Sequence, residues 1–241
     1  MIIVNERWYP ERGGDRAVRN VDELIAYINE VGFLPYFKAN IDGFSAEEAA
    51  DVQPVKWWSD DPVLDPWLWR AEIPARGDIA YGKFFGGKAG FISREWFPIF
   101  ASYRRDGYDF DAALEDGVVN HRQELIMDAL GGETMFSVDL KRKAGFGGKE
   151  GFKGFDAALN RLQMQCYVVI RGFEQRKKKN GEAYGWALGR LSTAEALYSS
   201  EHISQGYRYE RDEAYELLAE RVRKYCPNAS EKEIKKLLEL K

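Results

Sequence analysis

The chain has 241 residues, 45% hydrophobic and 31% charged, with a formal net charge of −4. That is ordinary globular composition, and the length suits one large domain or two small ones. No apolar run approaches the roughly 20 residues that span a bilayer. The opening Met1 to Val4, followed by Asn5, Glu6 and Arg7, lacks the apolar centre of a signal peptide, so a soluble, cytoplasmic protein is expected. Cys166 and Cys226 stand in no metal or redox spacing and read as reduced, buried thiols. His121 and His202 fall in no ligand or triad spacing, so neither a metal nor a cofactor is expected.

Along the chain, residues up to about 18 read as irregular. Asn20 then predicts an N-cap, with Asp22 and Glu23 in the first turn and Val21, Leu24, Ile25 and Ile28 as the apolar stripe, ended by Gly32. Residues 38–76 look loop-rich, with Trp57, Trp58, Trp67 and Trp69 set among prolines and aspartates. Two strands follow over 79–92, turning at Gly86-Gly87. A helix over 93–104 is expected to be capped by Ser93 and kinked or split at Pro98.

The second half predicts a helix over 116–130 stopped by Gly131-Gly132, and a short one over 138–144 capped by Ser137. A third helix is expected to carry Phe152, Phe155, Leu159 and Leu162 along one side. A hairpin of strands over 167–173 and 184–191 turns at Asn180-Gly181. Three helices and a hairpin make a winged helix, and two charge-laced helices, 211–225 and one capped by Asn228 or Ser230, close the chain. The expected fold is therefore α+β, with tandem winged-helix modules (helix-turn-helix plus β-hairpin wing) and C-terminal helices. Its divisions are 1–115, an aromatic-rich, degenerate winged-helix-like module; 116–192, a winged-helix module; and 193–241, a helical extension.

Charge is unevenly spread. Residues 137–192 hold twelve Lys/Arg against five acids, a surplus of +7, which leaves −11 for the rest. Such asymmetry marks one face for phosphate and another for solubility, although charge clusters are also found on plain solvated faces. The third helix would turn Lys153, Asn160 and Arg161 outward, with the small Ala157 between them permitting close approach. The hairpin tip adds Arg176, Lys177, Lys178 and Lys179, the preceding helix adds Lys141, Arg142 and Lys143, and Lys149 stands in the glycine-rich loop between. Cations in these positions fit DNA or RNA, with affinity that falls steeply with salt. Gly145, Gly147 and Gly148 imitate a phosphate loop, but no Lys-Ser/Thr follows and no strand precedes them.

The run from Ile79 through Phe84-Phe85-Gly86-Gly87 to Ile92, then a helix and a winged helix, resembles the AlkZ/YcaQ-type winged-helix DNA glycosylases. It is more similar still to the shorter bacterial AlkZ-related proteins. The resemblance implies tandem winged helices and a concave basic surface for duplex DNA, on which active relatives excise bulky alkylated bases. It also implies a catalytic Gln-x-Gln or Gln-x-Asp pair shortly after Val31-Gly32, where this chain has Pro35 and Phe37. A Gln163-Met164-Gln165 run exists, but at the end of a helix in the second module. The expectation is a DNA-binding protein without that catalytic motif. The alternatives are a glycosylase using Asp60, Asp61 or Asp65 among the tryptophans, and a protein-interaction or small-molecule sensor module with an aromatic pocket.

Overall fold

The computed structural model describes residues 17–148 and 150–240, and the backbone of two paired antiparallel strands, β1 (Ile2–Val4) and β2 (Arg7–Tyr9). Those strands lie where the sequence reading expected no regular structure. Lys149, one of the candidate DNA contacts, falls outside the described residues.

One element order then occurs twice. The first run is α1 (Val21–Val31), β3 (Phe33–Pro35), α2 (Ala46–Ala49), α3 (Pro66–Arg76), β4 (Ile79–Phe85) and β5 (Lys88–Ser93). Two linking helices follow, α4 (Phe97–Arg105) and α5 (Phe110–Glu115). The second run is α6 (His121–Leu130), β6 (Met135–Phe136), α7 (Ser137–Lys143), α8 (Phe155–Met164), β7 (Val168–Lys177) and β8 (Ala183–Thr193). In each, the first short strand pairs with the last: Phe33 opposite Ile92, and Met135 opposite Leu191. The two three-stranded sets join edge to edge where Tyr81 faces Ile170, giving one six-stranded antiparallel sheet in the order β3-β5-β4-β7-β8-β6.

The chain closes with α9 (Ala194–Tyr198), α10 (Ser200–Ser204), a 3-10 turn (Gln205–Arg208), α11 (Arg211–Tyr225) and α12 (Glu231–Leu238). Helix α11 lies on α4 and α12 on α11, so Ala214, Leu218, Val222 and Ile234 enter the same core as Leu24, Ile28, Phe33 and Phe100. The second run has its own core of Ile126, Leu130, Leu140, Phe155, Leu159, Leu162 and Leu191. Ile170, at the join between the two strand sets, packs against both.

Several boundaries differ from the sequence reading, each for a local reason. Asn20 and Gly32 bound α1 as expected: the Asn20 side chain accepts from the Glu23 N–H, and Gly32 takes φ 90°. The stretch read as loop contains α3, whose N-cap is Asp65 and whose Pro66 sits in the first turn, where a missing N–H costs nothing. Pro98 likewise opens α4 instead of kinking it, and Ser93 is the last residue of β5. The helix expected over 116–130 starts only at His121, because Asn120 builds a capping box with Gln123 there, and the preceding α5 has already ended at Glu115. Ser137 is the first residue of α7, with Phe136 ahead of it providing no side-chain cap. Helix α8 begins only at Phe155, after Gly154 with φ 90°. Phe152 is therefore off the helical stripe and half exposed, resting against His121 and Phe146.

Candidate nucleic-acid interface

Strands β7 and β8 run past the sheet as a long hairpin, closed by a turn in which the Lys178 N–H donates to the Glu182 carbonyl and Gly181 takes φ 84°. Lys177, Lys178 and Lys179 are exposed and Arg176 half exposed. Lys178 pairs with Glu182 at 3.1 Å across the turn. Arg176, Lys177 and Lys179 enter no ion pair among the described residues. By contrast, β4 and β5 turn at once through Gly86-Gly87, and that turn lies beside Lys236 and Leu237 of α12.

Helix α7 exposes all three of its cations. Arg142 pairs with Asp139 at 2.7 Å and Lys143 with Glu133 at 3.3 Å, while Lys141 stands 5.7 Å from the Phe155 ring. Exposed pairs of this kind contribute about 0–1 kcal/mol and exchange readily for a phosphate. Lys153 is exposed but precedes α8 instead of riding on it, and Asp156 and Ala157 are the exposed residues of its first turn. Asn160 and Arg161 are half buried, and Arg161 lies close enough to Arg104 to help lower that residue's pKa. Apart from Lys153, the hairpin and α7 thus hold the exposed cations of this set, and α8 presents fewer than its sequence promised. Elsewhere, a cleft of about 510 Å³ between α5, α6 and the α9–α10 segment is lined by Asp109, Asp111, Asp128, Glu195 and Glu201, a surface that repels phosphate.

Sequence reasoning passed over Trp186, which it placed inside an ordinary strand. This side chain is 90% exposed on the hairpin, with Tyr184 40% exposed close by. The available signal was Gly185, since a glycine within a strand marks a bulge.

Beneath the hairpin an aromatic layer couples the two halves. The Arg70 guanidinium sits 3.5 Å from the Trp67 ring centroid and 4.2 Å from that of Phe173, clamping α3 onto β7. Burial raises the pKa of the Tyr81 phenol in the same layer, with Arg70 opposing it. Phe37, Trp57 and Trp58 line a cleft of about 220 Å³ with Glu47 and Asp51.

Two of the carboxylates proposed for base chemistry, Asp65 and Asp61, are committed to the backbone. Asp65 is fully buried; its oxygens accept from the N–H groups of Trp58 at 3.0 Å, Trp67 at 2.9 Å and Asp60 at 3.2 Å. Asp61 accepts from Val63 and Leu64. The two glutamines are committed as well. Gln163 accepts from the Lys83 N–H at 3.1 Å, and Gln165 from the Gln123 amide at 2.7 Å, both out of solvent. Pro35 is buried in β3 and Phe37 faces the aromatic cleft, so neither position offers a polar side chain.

Where α4 meets the second run, two adjacent arginines are buried. Burial holds the Arg104 guanidinium down at about 10, and it donates to the Phe84 carbonyl at 3.0 Å. Arg105 is also pushed down by burial, but Glu195, then Tyr207 and Tyr167, outweigh that and raise it overall. Cys166 is buried beside them, which pushes its thiol up to about 12 and keeps it protonated at neutral pH. Among the described residues no group of His, Cys, Asp or Glu is placed to hold a metal ion, and no helix is long and apolar enough to cross a membrane.

Fold and site together define a mixed α/β protein in which two like-ordered units share one antiparallel sheet and one of them extends a cationic hairpin. The chain belongs to the AlkZ-related family, whose model matches residues 18–239. Among solved structures, it is similar to the DNA glycosylase AlkZ of Streptomyces sahachiroi, with 12% identity and a TM-score of 0.48. That likeness covers 93% of this chain and 60% of that one, so the chain spans about three fifths of the matched protein's length. No curated protein matches it.

Proposed function

We propose that this protein binds double-stranded DNA through its second unit, with the β7–β8 hairpin as a winged-helix wing, and that it lacks the Gln-x-Gln/Asp catalytic pair. The observation that carries the reading is the hairpin itself, a projecting arm with Arg176, Lys177 and Lys179 outside any ion pair among the described residues. The order helix, strand, two helices, two strands, with first and last strands paired, supports a winged helix in each run. Membership of the AlkZ-related family is in keeping with a DNA partner. Exposed Lys141, Arg142, Lys143 and Lys153 extend the phosphate surface, while Asn160 and Arg161, half buried, present less of their side chains to it.

Fluorescence anisotropy on labelled duplex, from low to physiological salt, tests this. Each phosphate contact adds about 0.9 to the slope of log affinity against log salt. Replacing Arg176, Lys177, Lys178 and Lys179 with alanine is expected to flatten that slope by about 3 and weaken binding about 10- to 100-fold near physiological salt. Unchanged binding in the variant would remove the wing from the interface, and no binding by the native protein at low salt would end the DNA reading.

A second reading rests on the cleft of Phe37, Trp57 and Trp58, where aromatic faces and the carboxylates Glu47 and Asp51 surround one space. Such a lining attracts a compact organic cation at about 0.5–1 kcal/mol per exposed face, hence with an affinity of roughly 10–100 mM. Titration with tetramethylammonium is expected to change the tryptophan emission saturably, and Trp57→Ala to abolish the change. A linear response identical in both proteins would exclude it.

A further inference from the structure

The geometry points to Trp186 as a stacking platform for an unpaired base, so that the hairpin favours locally unstacked DNA over intact duplex. The inference rests on the DNA reading above and adds the form of DNA that the hairpin takes.

Three observations converge on this residue. First, Trp186 is presented by a built irregularity in the strand. Glu174 faces Leu188 and Arg176 faces Tyr184, so the three residues Gly185, Trp186 and Ala187 stand opposite Gln175 alone. Gly185 takes φ 73°, a conformation glycine adopts without penalty, and a Cβ there would meet nothing within 4 Å. The Gln175 amide donates to the Gly185 carbonyl at 2.8 Å and supplies a partner for a group that the ladder leaves out. Bulges of this kind re-aim a side chain, and here the re-aimed indole is 90% exposed.

Second, the surroundings of the indole are cationic. Arg176 lies opposite Tyr184, and Lys177, Lys178 and Lys179 follow to the tip. The acids of the arm are already engaged, Glu182 with Lys178 and Glu174 with Arg190 at 2.9 Å. A nucleic-acid backbone drawn to these cations would pass beside the indole.

Third, an indole has no edge pattern with which to read a paired base, but every base has a π-face that it can cover. In intact duplex those faces are occupied by neighbouring pairs. An abasic site, a mismatch or a single-stranded stretch exposes a base at little cost. Tyr184, 40% exposed, offers a further ring on the same arm.

The test compares two labelled duplexes of one sequence, one intact and one with an abasic site opposite 2-aminopurine. The native protein is expected to bind the second on the order of tenfold more tightly and to quench 2-aminopurine. Trp186→Ala should lose that preference and the quenching while keeping the affinity and salt slope for intact duplex, and Trp186→Phe should keep most of the preference. Equal binding of both duplexes by the native protein, or a preference unchanged in Trp186→Ala, overturns the role of Trp186 and leaves DNA binding standing. Failure of the native protein to bind either duplex at low salt overturns both. Because the side chain makes almost no intramolecular packing, the variants are expected to unfold at the native denaturant midpoint, which serves as the control for fold.

Discussion

Arg105→Met is expected to destabilise the protein by about 3–5 kcal/mol, the range for removing one partner of a buried ion pair. The Arg105 side chain is fully buried and leaves α4 to bind two other segments. It donates to the Cys166 carbonyl at 2.6 Å and the Gln165 carbonyl at 3.3 Å, closing the α8–β7 connection. It also pairs with Glu195 of α9 at 2.7 Å and lies 4.2 Å from the Tyr167 ring centroid. Methionine keeps much of the volume but leaves two carbonyls and the Glu195 carboxylate without their donor. Urea unfolding followed by tryptophan fluorescence measures the loss; a change under about 1 kcal/mol would mean that water replaces the guanidinium. Glu195→Gln should cost less, because the Glu195 side chain is 30% exposed and the carbonyl bonds persist.

Asp65→Ala should cost about 3 kcal/mol, from three N–H groups losing their acceptor, one of them the Trp67 N–H whose bond caps α3. Two of those groups belong to Trp58 and Asp60, held at φ 62° and φ 58°, where residues other than glycine are strained. Without the carboxylate, the turn that presents Trp58 has reason to relax, so tryptophan emission should shift in the folded state as well. Asp65→Asn keeps the oxygen that serves Trp58 and Trp67 and should cost less than half as much. A variant with full stability and altered chemistry on DNA would instead return Asp65 to the role of a reacting carboxylate.

What the sequence disclosed, and what it hid, follows from the range of the forces involved. Asn20 and Gly32 act within one turn of α1, and Gly86-Gly87 within one hairpin, so these elements were legible. So was the cationic tip at Arg176 to Lys179, because charge at a turn needs no partner to stay exposed. Helix α3 was hidden by Pro66, Pro74 and its tryptophans, although Asp65-Pro66 is a cap followed by a first-turn proline. Arg104 and Arg105 read as an ordinary charged helix end; their burial is set by partners as distant as Glu195 and Glu239. The exposure of Trp186 depends on how β7 and β8 fall into register, which neither strand encodes alone. Gln163 and Gln165 were legible as the end of a helix, but their partners, Lys83 and Gln123, are 80 and 42 residues away and belong to the fold alone.

The six-stranded sheet ends in two very short strands, and this bears on how the protein meets copies of itself. An open strand edge is a template on which another chain can add. At one side the outermost strand has three residues, all buried, and finishes at Pro35, which has no N–H to offer. At the other it has two residues, Met135 and Phe136. The longer margins of the projecting arm carry lysines and arginine, which repel an approaching copy of the same arm. A wide sheet rich in aromatic residues is thereby kept from serving as a seed for aggregation while the fold is intact.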